Sequence, residues 1–501
     1  MQARISFLQQ WTWPVLFYAG VPTLATAFLC ATSAYELSLV QIVGAFSLGW
    51  IPWASYQHWR HQGRTGVPLF ALIASVYWLA YALPLFWGNH AISLVMGYHP
   101  LSEAAITSSI YLALAGVVSL WVGMRLAREF HWTARIRMDV PQNPWRWHYL
   151  RIVLVISALM KVLLPIDALG PANRQLLFNI DFILPSVAFV ILFRSYLRGQ
   201  AIRIDRFLLL GYFVIALVTG LSSGWLGDFL GVVIICNATY ILEKRRFPVV
   251  AMLIVLPVIL FLQPGKAKFR ERYWHGNPAE SYAESYGERI GFWIDASSQA
   301  WGRALTDPTG EGVRALSGST LSRLSLLQPT ANVIETTPAR VPYQHGRLYS
   351  YLVVTFIPRF LWPDKPSVNN ASKWYQIAYH LTRPANIQST GMAVGTVTES
   401  YISFGWLGPF MIMPCLGLFL GLFQEVFLGA RSGLLLSGIG IALLSGLLLV
   451  ESQMAVYIAG IVQQVLFAII VLAPILEFHR EANPYRETSL LSYAEVGEHP
   501  A

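Results

Sequence analysis

The stretch GWLGPFMIMPCLGLFLGLFQEVFLG, residues 405–429, contains a single charged residue, Glu425. About 20 consecutive apolar residues are enough for a helix to cross the hydrocarbon core of a bilayer. Because lipid offers the backbone no hydrogen-bond partners, one segment of this length and polarity crosses as a helix. Residues 405–429 therefore predict a membrane-spanning helix.

The whole chain has a composition like that of this stretch. Of its 501 residues, 55% are hydrophobic and 12% are charged, and the mean hydropathy is +0.50. A soluble domain is about one-quarter charged, so the sequence predicts an all-α polytopic membrane protein. Apolar blocks separated by short charged connectors predict about twelve transmembrane helices, at residues 11–31, 38–54, 68–87, 106–127, 150–169, 177–195, 207–222, 225–242, 247–263, 405–429, 434–451 and 456–477.

The basic residues of the short connectors predict the orientation of the chain. Lys and Arg accumulate in cytoplasmic loops, and here they occupy alternate connectors, at residues 55–67, 128–149, 196–206, 243–246 and 430–433. The connectors of the other side hold one basic residue, Arg174. Both termini are therefore expected in the cytoplasm. On this interpretation the net charge of +9 is a topology signal, and no nucleic-acid partner is expected.

One connector is far longer than the others. We predict nine spans within residues 1–263, a large periplasmic loop at 264–404, three spans within 405–478 and a cytoplasmic tail at 479–501. Loops of this length with secondary structure of their own are usually functional, so the loop is the expected location of the active site.

The large loop has a helical pattern of its own. Apolar residues recur at helical spacing in 284–305 and in 311–327, which predicts two helices. The apolar run from Leu348 to Trp362 is interrupted at Pro358, so we expect a re-entrant or interfacial helix there.

Three groups of cations lie in this loop among aromatic residues. Arginine binds phosphate oxygens through a bidentate fork and lysine binds them as a point charge, while aromatic faces suit sugar rings. The alternative is that these side chains anchor the protein at the membrane interface. The first group is Lys266, Lys268, Arg270 and Arg272, the second is Arg340 and Arg347 together with His345, and the third is Arg359 and Lys365. The aromatic residues include Tyr273, Trp274, Tyr343, Tyr349, Trp362 and Trp374.

Several acids and a histidine could accept a proton. If the reaction is glycosyl transfer, the acceptor hydroxyl must lose its proton to a base, and the candidates are Glu399, Asp364, Glu335 and His345. Within the predicted spans, Lys161 is expected to pair with an acid, the candidates being Asp167, Asp181, Asp228 and Glu451. An ion or proton pathway is the alternative. Nucleotide-binding and metal-binding motifs, including paired Cys-x-x-Cys, do not occur in the sequence.

Three segments of the loop together resemble a known family. They are TPARVPYQHGRLYSYL, IPRFLWPDKP and TGMAVGTVTESYISFGWLG, within residues 337–408. They are similar to the bacterial O-antigen or exopolysaccharide repeat-unit polymerases (Wzy-type), a group related to the O-antigen ligases.

The resemblance implies a fold, a reaction and a location. The implied fold is a GT-C-like helical bundle in the bacterial inner membrane. The implied reaction joins oligosaccharide repeat units carried on undecaprenyl diphosphate, at the periplasmic face, without a metal or other cofactor. A chain-length regulator and a flippase of the same pathway are the implied protein partners.

The resemblance also implies roles for particular residues. Arg359 would stabilise the leaving diphosphate, and Glu399 or His345 would take the proton of the acceptor. Substrate contacts are expected from Arg340, Arg347, Lys365, Trp362 and Tyr401, and more weakly from Arg270 and Arg272, which lie outside the matching segments.

Three other functions are compatible with parts of the sequence. An O-antigen ligase would share the same features. A flippase or other transporter could have twelve spans but needs no structured outer loop of this size. A transferase of single sugars from polyprenyl phosphate usually has paired acids in its first outer loop, where this chain has Glu36 alone.

Overall fold

The structure, a computed structural model, is helical almost throughout. It describes residues 19–33, 35–88, 98–130, 137–139, 144–163, 171–274, 284–355, 362, 364–381, 387, 394–429, 432–473 and 477–479. The helices of the first half are α1 Ala19–Thr32, α2 Leu39–His61, α3 Leu69–Trp87, α4 Glu103–Ala127, α5 Pro144–Leu163, α6 Pro171–Leu197, α7 Arg203–Ser222, α8 Leu226–Lys244 and α9 Val249–Leu262.

The helices of the second half are mostly shorter. They are α10 Lys266–Tyr273, α11 Tyr286–Thr306, α12 Glu311–Leu324, α13 Leu327–Thr336, α14 Ser350–Thr355, α15 Asn370–Ala378, α16 Thr396–Phe404, α17 Gly408–Phe423, α18 Leu434–Ala442, α19 Leu444–Leu447 and α20 Met454–Leu472. Two three-residue strands, β1 Arg137–Asp139 and β2 Glu477–His479, pair antiparallel with Arg137 opposite His479.

The membrane class predicted from composition is supported by helix length and polarity. In the described part of the chain, five segments are long and apolar enough to cross a membrane: Leu69–Trp87, Glu103–Ala127, Arg203–Ser222, Thr396–Leu428 and Met454–Leu472. A sixth is obtained if α9 and α10, bent by 61° relative to each other, count as one span. The larger number of twelve spans stays a prediction.

Helices α4 and α17 cross in close contact. A Cβ atom on Gly123 would lie 2.0 Å from the carbonyl oxygen of Pro414, and one on Gly417 would lie 2.2 Å from the carbonyl oxygen of Leu120. Small residues let transmembrane helices touch through their backbones. Contacts advance in the same direction along both helices, since Gly421 meets Ala127, so the two run parallel.

The span that contains α17 is broken near one end. Gly405 has φ of +61°, which glycine tolerates without strain, and a 3-10 turn at Gly405–Leu407 separates α16 from α17. Residues 396–403 of α16 are all buried. The predicted span at 405–429 is therefore preceded by a short helix inside the bundle.

The two helices predicted in the large loop are confirmed as α11 and α12. Helix α11 begins at a capping box in which Ser285 N donates to Glu288 Oε2 at 2.7 Å, and its buried Trp293 packs against Phe269 of α10. The loop does not form a separate unit, because Leu326 N donates to Ala80 O of α3 at 3.0 Å. Helix α14 ends before Pro358, and residues 356–361 lie outside the described residues.

The expected pairing of Lys161 with an acid stays a prediction, because most of its candidate partners are not among the described side chains. Asp167 and the side chains of Asp181 and Asp228 lie outside the described residues. The predicted eleventh span, 434–451, is shorter than expected: its helices end at Leu447, and Glu451 lies in the turn that follows. The described part of the chain instead contains ion pairs among the predicted cytoplasmic helix ends, joining Arg151 to Asp205 at 2.6 Å, and Arg194 and Arg198 to Glu243.

Candidate functional site

Glu399 is a buried carboxylate at the start of a long apolar segment. Its exposed fraction is 0%. Its Oε2 accepts a hydrogen bond from the backbone N–H of Met454 at 2.7 Å, while its Oε1 is buried without a hydrogen-bond partner among the described residues. Buried polar atoms without partners are rare in folded proteins, so this oxygen marks a candidate site for accepting a proton.

Two buried hydroxyl groups accompany Glu399. Burial raises the pKa of Tyr349 well above its usual value, and the negative charge of Glu399 raises it further, whereas the neighbouring Ser403 lowers it. Within the described part of the structure, neither the Tyr349 hydroxyl nor the Ser403 hydroxyl meets hydrogen-bond geometry with a partner. The three groups form a polar cluster within an otherwise apolar core.

Hydroxyl pairs hold the outer face of α16 to its neighbours. The Tyr77 and Thr396 hydroxyls lie 2.9 Å apart, and the Thr330 and Thr398 hydroxyls 2.7 Å apart. Tyr81 approaches both threonines of the second pair, at 3.2 and 3.3 Å. These bonds join α16 to α3 and α13 and fix the position of Glu399.

The segment 342–349 docks on the end of α16 through its backbone. Gln344 N donates to Ile402 O at 2.9 Å, and His345 N donates to Ser403 O at 3.0 Å. His345 and Gly346 have positive φ, +44° and +84°, which turns the chain so that Tyr349 enters the core. The structure thus brings the QHGRLY and TESYISF segments together.

The charged side chains of this docked segment point away from the core. His345 and Arg347 are exposed, and Arg340 is exposed in the turn after α13. These three side chains are available to a ligand, but no contact among the described residues joins them to Glu399. Tyr401 is only 4% exposed and packs edge-on against Tyr343 and Trp406, with ring centroids 6.2 and 6.0 Å apart. Its ring therefore contributes to packing and offers little surface to a substrate.

The proline-rich segment is described only in part. Arg359 lies outside the described residues. Trp362 is 40% exposed, which suits an aromatic contact with a sugar. Lys365 is half-buried, and its Nζ donates to Thr355 O at 3.4 Å, which fastens the turn to α14.

A second group of cations surrounds the first turn of α10. Lys266 and Arg270 lie on its partly buried face, with the Arg270 guanidinium 4.5 Å from the ring centre of Trp274 and the Lys266 ammonium 5.8 Å from that of Trp225. Trp225 and Trp274 stack with centroids 4.9 Å apart. Among the described residues, Arg270 Nε is buried without a hydrogen-bond partner. We call Lys266, Arg270 and Arg323 the outer cation cluster.

The electrostatics of Lys266 shows that Arg323 and Glu451 belong to this region. Helix α10 turns by 61° from α9, and its charged sequence KAKFRERY is not that of a membrane-spanning helix. Burial lowers the pKa of Lys266 to about 8, repulsion from Arg270 and Arg323 lowers it further, and Glu451 opposes these effects. Burial raises the pKa of Glu451, and Lys266 opposes that shift. Among the described residues, the three cations of the cluster are opposed by one acid, Glu451.

Arg272 differs from Arg270 although both are on α10. Arg272 forms an ion pair with Glu284 at 2.5 Å, and the same carboxylate accepts a hydrogen bond from Tyr273. The expected substrate contact at Arg272 therefore competes with a partner of opposite charge, whereas among the described residues Arg270 contacts aromatic rings and no carboxylate.

The turn at residues 448–454 connects the outer cation cluster to Glu399. Gly395 N donates to Glu451 O at 2.8 Å, Thr396 N contacts Val450 O at 3.4 Å, and Met454 N donates to Glu399. Neither Arg323 as a site residue nor this turn as a connection was predicted from the sequence. The feature that could have indicated Arg323 as a site residue is its position at the end of the amphipathic helix α12.

An apolar cavity lies next to the outer cation cluster. It has a volume of about 400 Å³, and the described residues that line it are apolar, among them Leu221, Phe261 and Ile290. Two further lining residues, Leu262 and Trp293, belong to the same apolar cluster as Phe269 of α10. Cations, aromatic rings and an apolar recess are thus adjacent.

Within the described residues, no group of three or more His, Cys, Asp or Glu side chains is placed to hold a metal ion.

No curated protein and no solved structure matches the chain. A family model described as "Domain of unknown function (DUF8712)" matches residues 102–433, a region that contains Glu399 and the outer cation cluster. Because this match covers more than half of the 501 residues, the chain belongs to the DUF8712 family.

Proposed function

We propose that this protein is a metal-independent glycosyltransferase. It would polymerise oligosaccharide repeat units carried on undecaprenyl diphosphate, at the periplasmic face of the bacterial inner membrane, with a GT-C-like arrangement of helices. The observation that carries the proposal is the single turn, residues 448–454, that joins a buried carboxylate, Glu399, to a cluster of incompletely neutralised cations.

The outer cation cluster and its apolar recess have the chemistry of a lipid diphosphate. Lys266, Arg270 and Arg323 would hold the diphosphate, and arginine does so through two parallel hydrogen bonds. The recess beside Phe261 would take the first isoprene units, because it offers only apolar surface. Trp362, which is exposed, would contact the sugars.

The transfer step is a substitution at the anomeric carbon of the growing glycan. The hydroxyl oxygen of the incoming repeat unit forms the new C–O bond, and the bond from the anomeric carbon to the phosphate oxygen breaks. The hydroxyl proton passes to Glu399, by way of the Tyr349 and Ser403 hydroxyls. Undecaprenyl diphosphate leaves with the bonding electrons, and the cations stabilise the charge that develops on it; each well-placed donor is typically worth about 3–4 kcal/mol.

His345 is the second candidate for the base. Its backbone is bound to α16, but its side chain is exposed, whereas Glu399 lies within a cluster of hydroxyl groups. We therefore assign proton transfer to Glu399 and leave His345, with Arg340 and Arg347, to substrate binding at the surface.

Reconstitution tests the proposal against its alternatives. The purified full-length protein is placed in liposomes with a lipid-linked repeat unit on the outer face, and products are separated by size. Chain growth without another enzyme is the expected result. Transfer of finished glycan to a lipid A core acceptor without chain growth would indicate a ligase, and movement of the lipid-linked unit between leaflets without new glycosidic bonds would indicate a flippase.

A further inference from the structure

A second cavity lies at the opposite end of the bundle from Glu399. Its volume is about 850 Å³, within the range of pockets that bind small ligands. It is lined by Gln424 and Glu425, which follow Glu399 along the same span by about 25 residues, or roughly 37 Å of helix. The site proposed for glycosyl transfer therefore cannot include it.

One wall of the cavity is a single face of α4. The lining residues Val118, Trp121, Arg125 and Arg128 recur at intervals of three and four residues, which is helical spacing. The wall changes from apolar to aromatic to cationic toward the end of the helix. Neither Arg125 nor Arg128 has an ion pair or side-chain hydrogen bond among the described residues.

Helix α2 supplies a second wall, which becomes polar toward the end of the helix. Trp50, Ala54, His58 and Gln62 line the cavity at intervals of four residues. At the other end of the two helices, Gln41 Nε2 donates to Glu103 Oε2 at 2.7 Å, so α2 and α4 run side by side in the same direction. Their polar ends consequently lie at the same membrane surface, which the predicted topology makes the cytoplasmic one.

The cavity opens sideways between these helices. Trp50, Val118 and Trp121 each expose more than two-fifths of their surface, and the last two belong to the candidate span Glu103–Ala127. The floor is formed by the π-helical turn Gln424–Leu428, and such turns are frequent at functional sites. A ligand that enters from the bilayer would meet apolar surface first and cations last.

We propose that this cavity binds an anionic phospholipid from the membrane leaflet at that end of the bundle. The phosphate would contact Arg125 and Arg128, and an acyl chain would lie along Val118 and Trp121. Two arginines outnumber the one lining acid, Glu425, so the net charge favours an anionic headgroup. Basic pockets between transmembrane helices at the cytoplasmic surface bind such headgroups.

Native mass spectrometry of the full-length protein in detergent tests the assignment. Phosphatidylglycerol, phosphatidylcholine, phosphatidylethanolamine and glycerol phosphate are added separately, and the bound fraction is measured for each. Since each cation near a membrane surface contributes about 1 kcal/mol, or roughly fivefold in affinity, we expect the double variant Arg125→Gln/Arg128→Gln to bind phosphatidylglycerol about thirtyfold more weakly. Arg206→Gln, which removes an exposed arginine outside the cavity, is the matched control and should bind as the wild type does.

A second cavity variant, which leaves the charges unchanged, tests whether the loss of binding in the double variant comes from misfolding. Ala54→Trp fills part of the cavity and should reduce phosphatidylglycerol binding while both arginines stay in place. The proposal is overturned if either cavity variant binds phosphatidylglycerol as the wild type does, or if phosphatidylcholine or phosphatidylethanolamine binds as tightly. Equal binding of glycerol phosphate would overturn it too, because the site would then recognise a free anion and not a lipid.

Discussion

The carboxylate of Glu399 accepts a hydrogen bond from the backbone N–H of Met454 at 2.7 Å. This bond joins the buried helix α16 to the first residue of α20, and it satisfies only one of the two carboxylate oxygens. If Glu399 had a purely structural role, a neutral hydrogen-bond acceptor could replace it without loss of activity. If Glu399 takes up a proton in the reaction, such a replacement would abolish that step. The geometry therefore makes the two roles separable by substitution.

Glu399→Gln keeps an oxygen that can accept from Met454 N but removes the capacity to take a proton. Since general acid–base catalysis contributes about 10²–10⁴-fold, we expect chain growth in liposomes to fall by a factor in this range. Protein abundance and the unfolding temperature should change little. Wild-type rates in this variant would exclude Glu399 as the base.

Glu335→Gln is the matched control for the loss of one acid at the same end of the bundle. Glu335 Oε1 accepts from Ser102 N, the N-cap of α4, at 2.5 Å, and an amide oxygen can take over that bond. Rates within about threefold of wild type are expected, since capping contacts are typically worth about 1 kcal/mol. A loss as large as that of Glu399→Gln would point to a general effect of altered charge.

Arg270 and Arg272 should respond differently to replacement by glutamine. Arg270 has no carboxylate partner among the described residues, and hydrogen bonds to charged groups are worth about 1.5–3 kcal/mol. We expect Arg270→Gln to raise the KM for the lipid-linked donor roughly 10- to 100-fold. Arg272→Gln should leave the KM nearly unchanged, because Arg272 is occupied by Glu284 and an exposed ion pair contributes about 0–1 kcal/mol.

Measured KM values for both variants, on protein of equal abundance, check this assignment. Equal increases at the two positions would mean that the Glu284 ion pair opens when substrate binds. No increase at Arg270 would remove the outer cation cluster from the donor site.

Local patterns predicted the helical class and the helices of the large loop. The apolar length of 405–429 and the spacing of 311–327 depend on neighbours in sequence, and helices were found at both. The interruption at Gly405 was not predicted, because a positive φ at that glycine depends on the contact of the turn with Tyr343. The short α19 and the turn at Glu451 were missed for a similar reason: an apolar run does not indicate where a helix ends.

The parts of the site that depend on tertiary contacts were only partly predicted. Glu399 was identified as a candidate base from its position before a span, but its bond to Met454 joins residues 55 positions apart. From the sequence alone, Arg270 and Arg272 were equal candidates for substrate binding, and only the ion pair of Arg272 with Glu284 distinguishes them. The repulsion between Lys266 and Arg323 likewise depends on how α10 and α12 are placed in the fold.

The glycines of the α4–α17 crossing predict a stability difference between two similar substitutions. Gly417→Ala places a methyl group 2.2 Å from Leu120 O, so the helices must separate, and overpacking of this kind costs about 1–3 kcal/mol. Gly460→Ala, in α20, meets nothing within 4 Å and gains up to about 1 kcal/mol in helix propensity. Thermal unfolding in detergent should show a lower midpoint for the first only; equal midpoints would contradict a backbone-to-backbone crossing.

Lys266 also predicts how folding stability depends on pH. Burial lowers its pKa from 10.5 to about 8 in the folded protein, so between these values the unfolded chain binds more protons at this residue than the folded protein does. The contribution of Lys266 to stability therefore rises as the pH rises through this interval. Lys266→Met should remove this contribution and flatten the pH dependence of the unfolding temperature between pH 8 and 10.

Binding of an isoprenoid diphosphate should show the opposite dependence on pH. Lys266 is charged below its pKa of about 8 and neutral above it, so affinity for farnesyl diphosphate, measured by calorimetry, should fall as the pH rises from 7 to 9. Arg323→Gln removes a charge that lowers the pKa of Lys266; it should weaken binding at pH 7 but move the fall in affinity to higher pH. Lys266→Met should bind weakly with little change across this range. A fall at the same pH in the wild type and in Arg323→Gln would contradict the coupling between Lys266 and Arg323, and an unchanged wild-type affinity would exclude Lys266 from the diphosphate site.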